Sequence, residues 1–148
     1  MALKYQAAFE NVTITDAAQD ILFLATSSSV PARVIGFRLS AGVTTDVRAR
    51  IQIVRRSTAG SGGTGITVAK LDARNTVNAA TTVTHARTTP GTVGDVIHGE
   101  QWSLLVPFDY TPVPEGRIEI PVSGFLGLHL VAGSGASRVI SGSVIFEE

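Results

Sequence analysis

The sequence predicts an all-β chain: an antiparallel β-sandwich of jelly-roll type with about nine or ten strands. Three observations lead there. Apolar residues alternate with a period of two almost from end to end, as half-buried strands require. Val, Thr and Ile number 17, 16 and 11, so 44 of the 148 residues are β-branched and suit a pleated surface. Gly, Pro and Ser clusters punctuate the pattern roughly every 8–12 residues, a spacing typical of sandwiches.

The elements follow in order. Runs at 4–14 and 19–27 read as the first strands. Ile35, Phe37 and Leu39 then form one face, with Val34, Gly36 and Arg38 on the other. Val47, Ala49, Ile51 and Ile53 oppose Arg48, Arg50 and Gln52. Shorter runs lie near 66–72 and 81–89, and residues 73–80 make at most a short helical turn. Trp102, Leu104, Val106, Phe108 and Tyr110 share one face of a single predicted strand, with Ser103, Leu105, Pro107 and Asp109 behind them. Ile118, Ile120 and Val122 alternate with Arg117, Glu119 and Pro121. Leu126, Leu128 and Leu130 alternate with Phe125, Gly127, His129 and Val131, and a run at 139–146 closes the pattern. Turns are expected at 27–31, 40–42, 59–65, 89–91, 112–116 and 133–135, where Gly supplies positive φ and Pro presets φ. No repeat, linker or composition break divides the chain, so residues 1–148 form one predicted domain. Residues 1–14 are expected to be an N-terminal arm or edge strand. In the arm reading, the segment Ala2 to Asn11, with Tyr5 and Phe9, contacts a neighbour by strand addition.

Composition narrows the function. Twelve basic and twelve acidic residues cancel, which argues against a nucleic-acid or membrane-surface binder needing a basic excess. The absence of cysteine excludes a disulfide framework and thiolate metal sites. No apolar run approaches the ~20 residues of a membrane-spanning helix. No basic stretch followed by an apolar one opens the chain, so no secretory signal is expected. Only 16% of residues are charged, against ~25% in ordinary soluble domains. Such a surface suits contact with other protein, in a symmetric homo-oligomer or a larger assembly.

Catalytic chemistry finds little support. His85, His98 and His129 lack the His-x-His pair of jelly-roll metal sites. The segment Gly60 to Gly65 fits G-x-G-x-x-G, but a strand pattern from Ile66 to Leu71 follows it. A dinucleotide site needs a helix there, to present its N-terminus to the pyrophosphate. Asp16 with Asp20 and Glu115 with Glu119 flank turns without an aromatic cleft, and no Gly-x-Ser-x-Gly elbow exposes a serine. No catalytic residue, cofactor or metal is expected. The arginines are more informative, outnumbering lysine 10 to 2. Arg48, Arg50 and Arg56 fall in phase on one strand face, with Arg55 opposite. They read either as a docking face for an acidic partner or as a solvated face paired to carboxylates such as Glu119.

Several stretches together resemble the jelly-roll decoration (cement) and minor head proteins of tailed bacteriophages. They are Gly99 to Phe108, the turn Pro112 to Glu115, Arg117 to Pro121, Gly127 to Leu130 and Ser143 to Glu148. The resemblance implies a non-enzymatic virion protein, made in the host cytoplasm and placed on the capsid exterior. Its partner would be the major capsid protein, whose neighbouring subunits it bridges as a homo-oligomer, a trimer being favoured. Neither nucleic acid nor membrane is an expected partner. A phage tail or baseplate adaptor, a carbohydrate-binding jelly-roll module and a jelly-roll enzyme remain the alternatives.

Overall fold

The computed structural model describes residues 2–131 and 137–148; the turn expected at 133–135 lies outside them. Among the described residues there are fourteen strand segments and no α-helix. They are β1 (Lys4–Ile14), β2 (Gln19–Ala25), β3 (Ala32–Ala41), β4 (Arg48–Arg56), β5 (Gly60–Ser61), β6 (Thr64–Ile66) and β7 (Val68–Lys70). Then come β8 (Thr82–Arg87), β9 (Thr89–Pro90), β10 (Val93–Ser103), β11 (Phe108–Tyr110), β12 (Ile118–Ile120), β13 (Phe125–Val131) and β14 (Arg138–Glu147). A 3-10 turn spans Pro114–Gly116. The strands outnumber the expected nine or ten because β5, β6, β7, β9, β11 and β12 are only two or three residues long.

Two antiparallel six-stranded sheets carry the fold. The first runs β11-β3-β14-β1-β7, with β12 also pairing β3; the second runs β10-β4-β13-β2-β8-β6. A two-stranded ribbon joins β5 to β9. The inner faces share one core, into which the first sheet sends Tyr5, Phe9, Phe37, Leu39, Val144 and Phe146. The second sends Leu22, Leu24, Ile51, Ile53, Leu126, Leu128 and Leu130. Alternation in β13 and β14 places these side chains inward; in β3 a register shift puts Val34 in the core with Phe37 and Leu39, so Ile35, expected to share their face, lies outside it. Burying each large aliphatic or aromatic group contributes about 1.5–3 kcal/mol.

The chain crosses between sheets at both sides of the sandwich. At one side β6 belongs to the second sheet and β7 to the first. At the other, β10 gives way to β11 through residues 104–107. The predicted single strand from Trp102 to Tyr110 is therefore broken. Val106 N–H bonds Ser103 O at 3.0 Å in a tight turn, and Pro107 has no N–H with which to continue a ladder. Trp102, Leu104 and Phe108 still reach the core, whereas Val106 is 60% exposed. The helical turn allowed at 73–80 is also absent; a turn at 71–74 and irregular chain stand there.

The arm reading of residues 2–11 is overturned. β1 pairs with β14 from Lys4↔Glu147 to Ile14↔Arg138, and β7 covers its other edge at Tyr5, Gln6 and Ala7. Tyr5 is fully buried and stacks on Phe146 at 5.7 Å, and its hydroxyl donates to Val77 O at 3.2 Å. Phe9 is buried too. Their apolar bulk is worth more in the core than on a neighbour, so neither is available for docking. Deleting residues 2–11 is thus expected to abolish the cooperative thermal transition. A variant that still melts cooperatively, near the parent temperature, would show that the segment is dispensable to the fold.

Candidate functional site

Of the three arginines predicted to share a face, β4 presents two. Arg48 is exposed, with its Nε 3.5 Å from Asp46, and Arg50 is exposed with no ion pair among the described residues. Arg56 has the same phase but the opposite environment: its side chain is 1% exposed. It is therefore not a surface contact. Alternation identifies the face, but not what lies over it, and here the β5–β9 ribbon covers the upper part of the second sheet's outer face.

Beneath the ribbon lies a buried polar cluster. Asp20 of β2 has no solvent exposure. Arg56 Nη2 approaches its Oδ1 at 2.5 Å and Arg56 Nε its Oδ2 at 3.3 Å, a two-pronged, charge-assisted contact. His129 of β13 places Nδ1 2.9 Å from Asp20 Oδ1 and 3.0 Å from Arg56 Nη2. The carboxylate sits directly over Gly127, where a Cβ would meet its Cγ and Oδ2 at 2.9 Å. The cluster extends to the ribbon, because Arg56 Nη1 donates to Gly91 O at 3.0 Å. Arg87 holds the other ribbon strand, donating to Ala59 O at 2.8 Å and Gly60 O at 3.0 Å. Its guanidinium lies 4.3 Å from the centroid of the Phe23 ring, a cation–π arrangement. The glycine-rich segment is therefore a pinned strand pair followed by strand β6. The sequence places Asp20 with Asp16 at a turn; the structure instead puts it in β2, buried against Arg56, a pairing that nothing local announces.

The three histidines stand apart. His85 stacks on Phe9 at 5.2 Å. His98 pairs with Glu100 at 2.9 Å and tilts against Tyr110 at 4.9 Å. His129 belongs to the Asp20 cluster. Among the described residues no group of three or more His, Asp or Glu is placed to hold a metal ion. Trp102 and Phe108 are buried, edge to face at 6.3 Å, and offer no stacking platform.

The two ends of the sandwich differ. One bears an open groove of about 540 Å³ lined by Arg33, Arg55, Glu119, Pro121, Glu147 and Glu148, among others. Part of its charge is matched internally. Arg33 bridges Glu119 at 2.5 Å and Glu147 at 3.6 Å, and Arg117 reaches Glu147 at 3.5 Å. Arg55 donates to Glu119 O at 2.7 Å. The Glu148 carboxylate accepts the N–H groups of Ala80 and Thr81 at 2.9 and 2.6 Å. The other end carries the turn after β10. Leu104 is buried there, while Leu105 and Val106 are 50% and 60% exposed. The backbone around them is held by Leu104 N–H to Val47 O at 2.9 Å and by the Trp102 indole N–H to Val106 O at 2.7 Å. The proline at position 107 was the one sequence signal for this turn.

Compared with protein-family profiles, with curated proteins and with solved structures, the chain finds no match in any of the three.

Burial lowers the His85 pKa below its ordinary 6.5, because the imidazolium would lose hydration against Phe9. Its Nδ1 is buried without a hydrogen-bond partner. The unfolded chain thus takes up a proton that the fold resists. This contribution to stability is complete above about pH 6.5 and is lost as pH falls through the depressed folded value. The thermal midpoint is expected to fall between about pH 7.5 and pH 5, and a His85→Phe variant to show a shallower fall. Equal slopes in the two proteins would contradict this origin.

Proposed function

We propose that the chain is a non-enzymatic structural protein of a tailed-bacteriophage virion, decorating the capsid exterior by bridging neighbouring major capsid subunits. The strand order supports the jelly-roll part of this reading. Taking β1, β2, β3, β4, β10, β11 with β12, β13 and β14 as eight positions in chain order, the sheets run 1-8-3-6 and 2-7-4-5. That is the arrangement of two Greek keys wrapped into a jelly roll. The likeness of Gly99 to Phe108, Arg117 to Pro121 and Gly127 to Leu130 to phage decoration proteins supplies the virion context.

The observation that carries the docking role is the exposed apolar surface on a weakly charged chain. Val96, Leu105 and Val106 are 52%, 50% and 60% exposed, although only 16% of residues are charged. Covering such side chains with protein gains free energy with little polar desolvation. A protein seated across a seam resists the outward pressure of packaged DNA by adding contacts that must break before subunits separate. Several charged groups, by contrast, are engaged with one another, among them Arg33, Arg117, Glu119 and Glu147. A homo-oligomer, with a trimer favoured, would present several seats at once and multiply their affinities.

Rebinding tests this directly. Purified protein added to shells stripped of it, from the phage that encodes it, is expected to co-sediment saturably. The bound copies should stand in a fixed ratio to the major capsid subunits, and light scattering should give an oligomer mass. Protein that stays in the supernatant, or that binds isolated tails and not heads, would overturn the capsid assignment.

A further inference from the structure

We propose that the turn from Leu104 to Pro107, with Arg48 and Arg50 beside it, is the end by which the protein docks, and that its seat is an apolar pocket rimmed by carboxylates on the shell protein. This rests on the capsid reading and adds which surface binds and what it binds.

Rigidity is the first ground. Two large apolar side chains at the tip of a loop normally lose rotamer and backbone freedom on binding. Here the backbone is set in advance. Val106 N–H closes the turn on Ser103 O, Leu104 N–H bonds Val47 O, and the buried Trp102 holds the Val106 carbonyl through its indole N–H. Leu104 anchors the turn in the core at 1% exposure, leaving Leu105 and Val106 projecting outward. Pro107 restricts φ immediately after. The result is a fixed apolar knuckle, and association loses correspondingly less entropy.

Charge supplies the second ground. Register places Arg48 opposite Ser103 and Arg50 opposite Gln101, so both arginines flank the strand leading into the turn. Asp46 lies 3.5 Å from Arg48, and its other oxygen accepts a hydrogen bond from Ser103. Arg50 makes no ion pair among the described residues. At the opposite end Arg33 and Arg117 are committed to the Glu119 and Glu147 carboxylates, and Arg55 donates to the Glu119 main-chain oxygen. Unspent positive charge beside an apolar tip calls for carboxylates around an apolar hollow. A lipid surface is the weaker match, since anionic membranes are held by clusters of about four to eight basic residues.

Three variants of the full chain test this on stripped shells: Leu105→Asp with Val106→Asp, Arg50→Glu, and Val113→Asp as a control outside the turn. All substituted positions are exposed, and each variant's thermal midpoint is measured alongside. The double variant is expected to bind at least about tenfold more weakly, with its midpoint near the parent value. Arg50→Glu should weaken binding and flatten its salt dependence, and Val113→Asp should bind as the parent does. If the parent binds and the double variant binds equally well, the docking end is wrong while the capsid role stands. If the parent binds no shell, the capsid role fails and takes this seat with it. Binding of the parent to phosphatidylserine vesicles, lost in the double variant, would overturn the protein seat in favour of a lipid one.

Discussion

A carboxylate sealed from water governs how the second sheet can be covered. Removing Asp20 from solvent would be prohibitive without a counter-charge, so Arg56 must lie against it and bring its own polar groups under cover. The arginine then needs further acceptors and takes Gly91 O from the ribbon as well as the Asp20 oxygens. One pair thereby links β2, β4, β13 and the β5–β9 ribbon. Removing one member of such a pair generally costs about 3–5 kcal/mol, because the other charge is left buried alone. Gly127 follows from the same constraint, since a side chain there would occupy the carboxylate's place.

What could be read in the sequence was local. Leu126, Leu128 and Leu130 alternate with Phe125, Gly127, His129 and Val131, and their strand forms as written, with all three leucines fully buried. The phase of Arg48, Arg50 and Arg56 was equally legible. The fate of Arg56 was not, because the ribbon above it comes from residues 57–61 and 89–92, and period-two patterning carries no information about a third layer. Tyr5 and Phe9 illustrate the same gap. Their strand pairs with β14 at the far end of the chain, and nothing near residue 5 announces that partner. The first half of β10 was missed for another reason. Register shifts at Val93/Val96 and Val96/His98 break the alternation, and bulges of this kind also discourage unwanted pairing at a sheet edge.

The candidate docking site was half legible. Arg48 and Arg50 stood out by phase, while Leu105 and Val106 were absorbed into a strand that in fact ends at Ser103. Brought together, they distinguish the two ends of the sandwich. One end pairs Arg33 and Arg117 with Glu119 and Glu147. The other offers a stiff apolar turn and a free guanidinium. The proposed seat on a shell would use such polarity, since one end must bind while the rest stays indifferent to its surroundings.

The most direct measurement is a density map of the decorated particle, at a resolution that orients a β-sandwich. The expected result places the Leu104 to Pro107 turn against the major capsid protein, with Arg48 and Arg50 near its carboxylates and the Glu119–Arg33–Glu147 end facing solvent. A map in which that turn points away from the shell, or in which the protein occupies no capsid position, would contradict it.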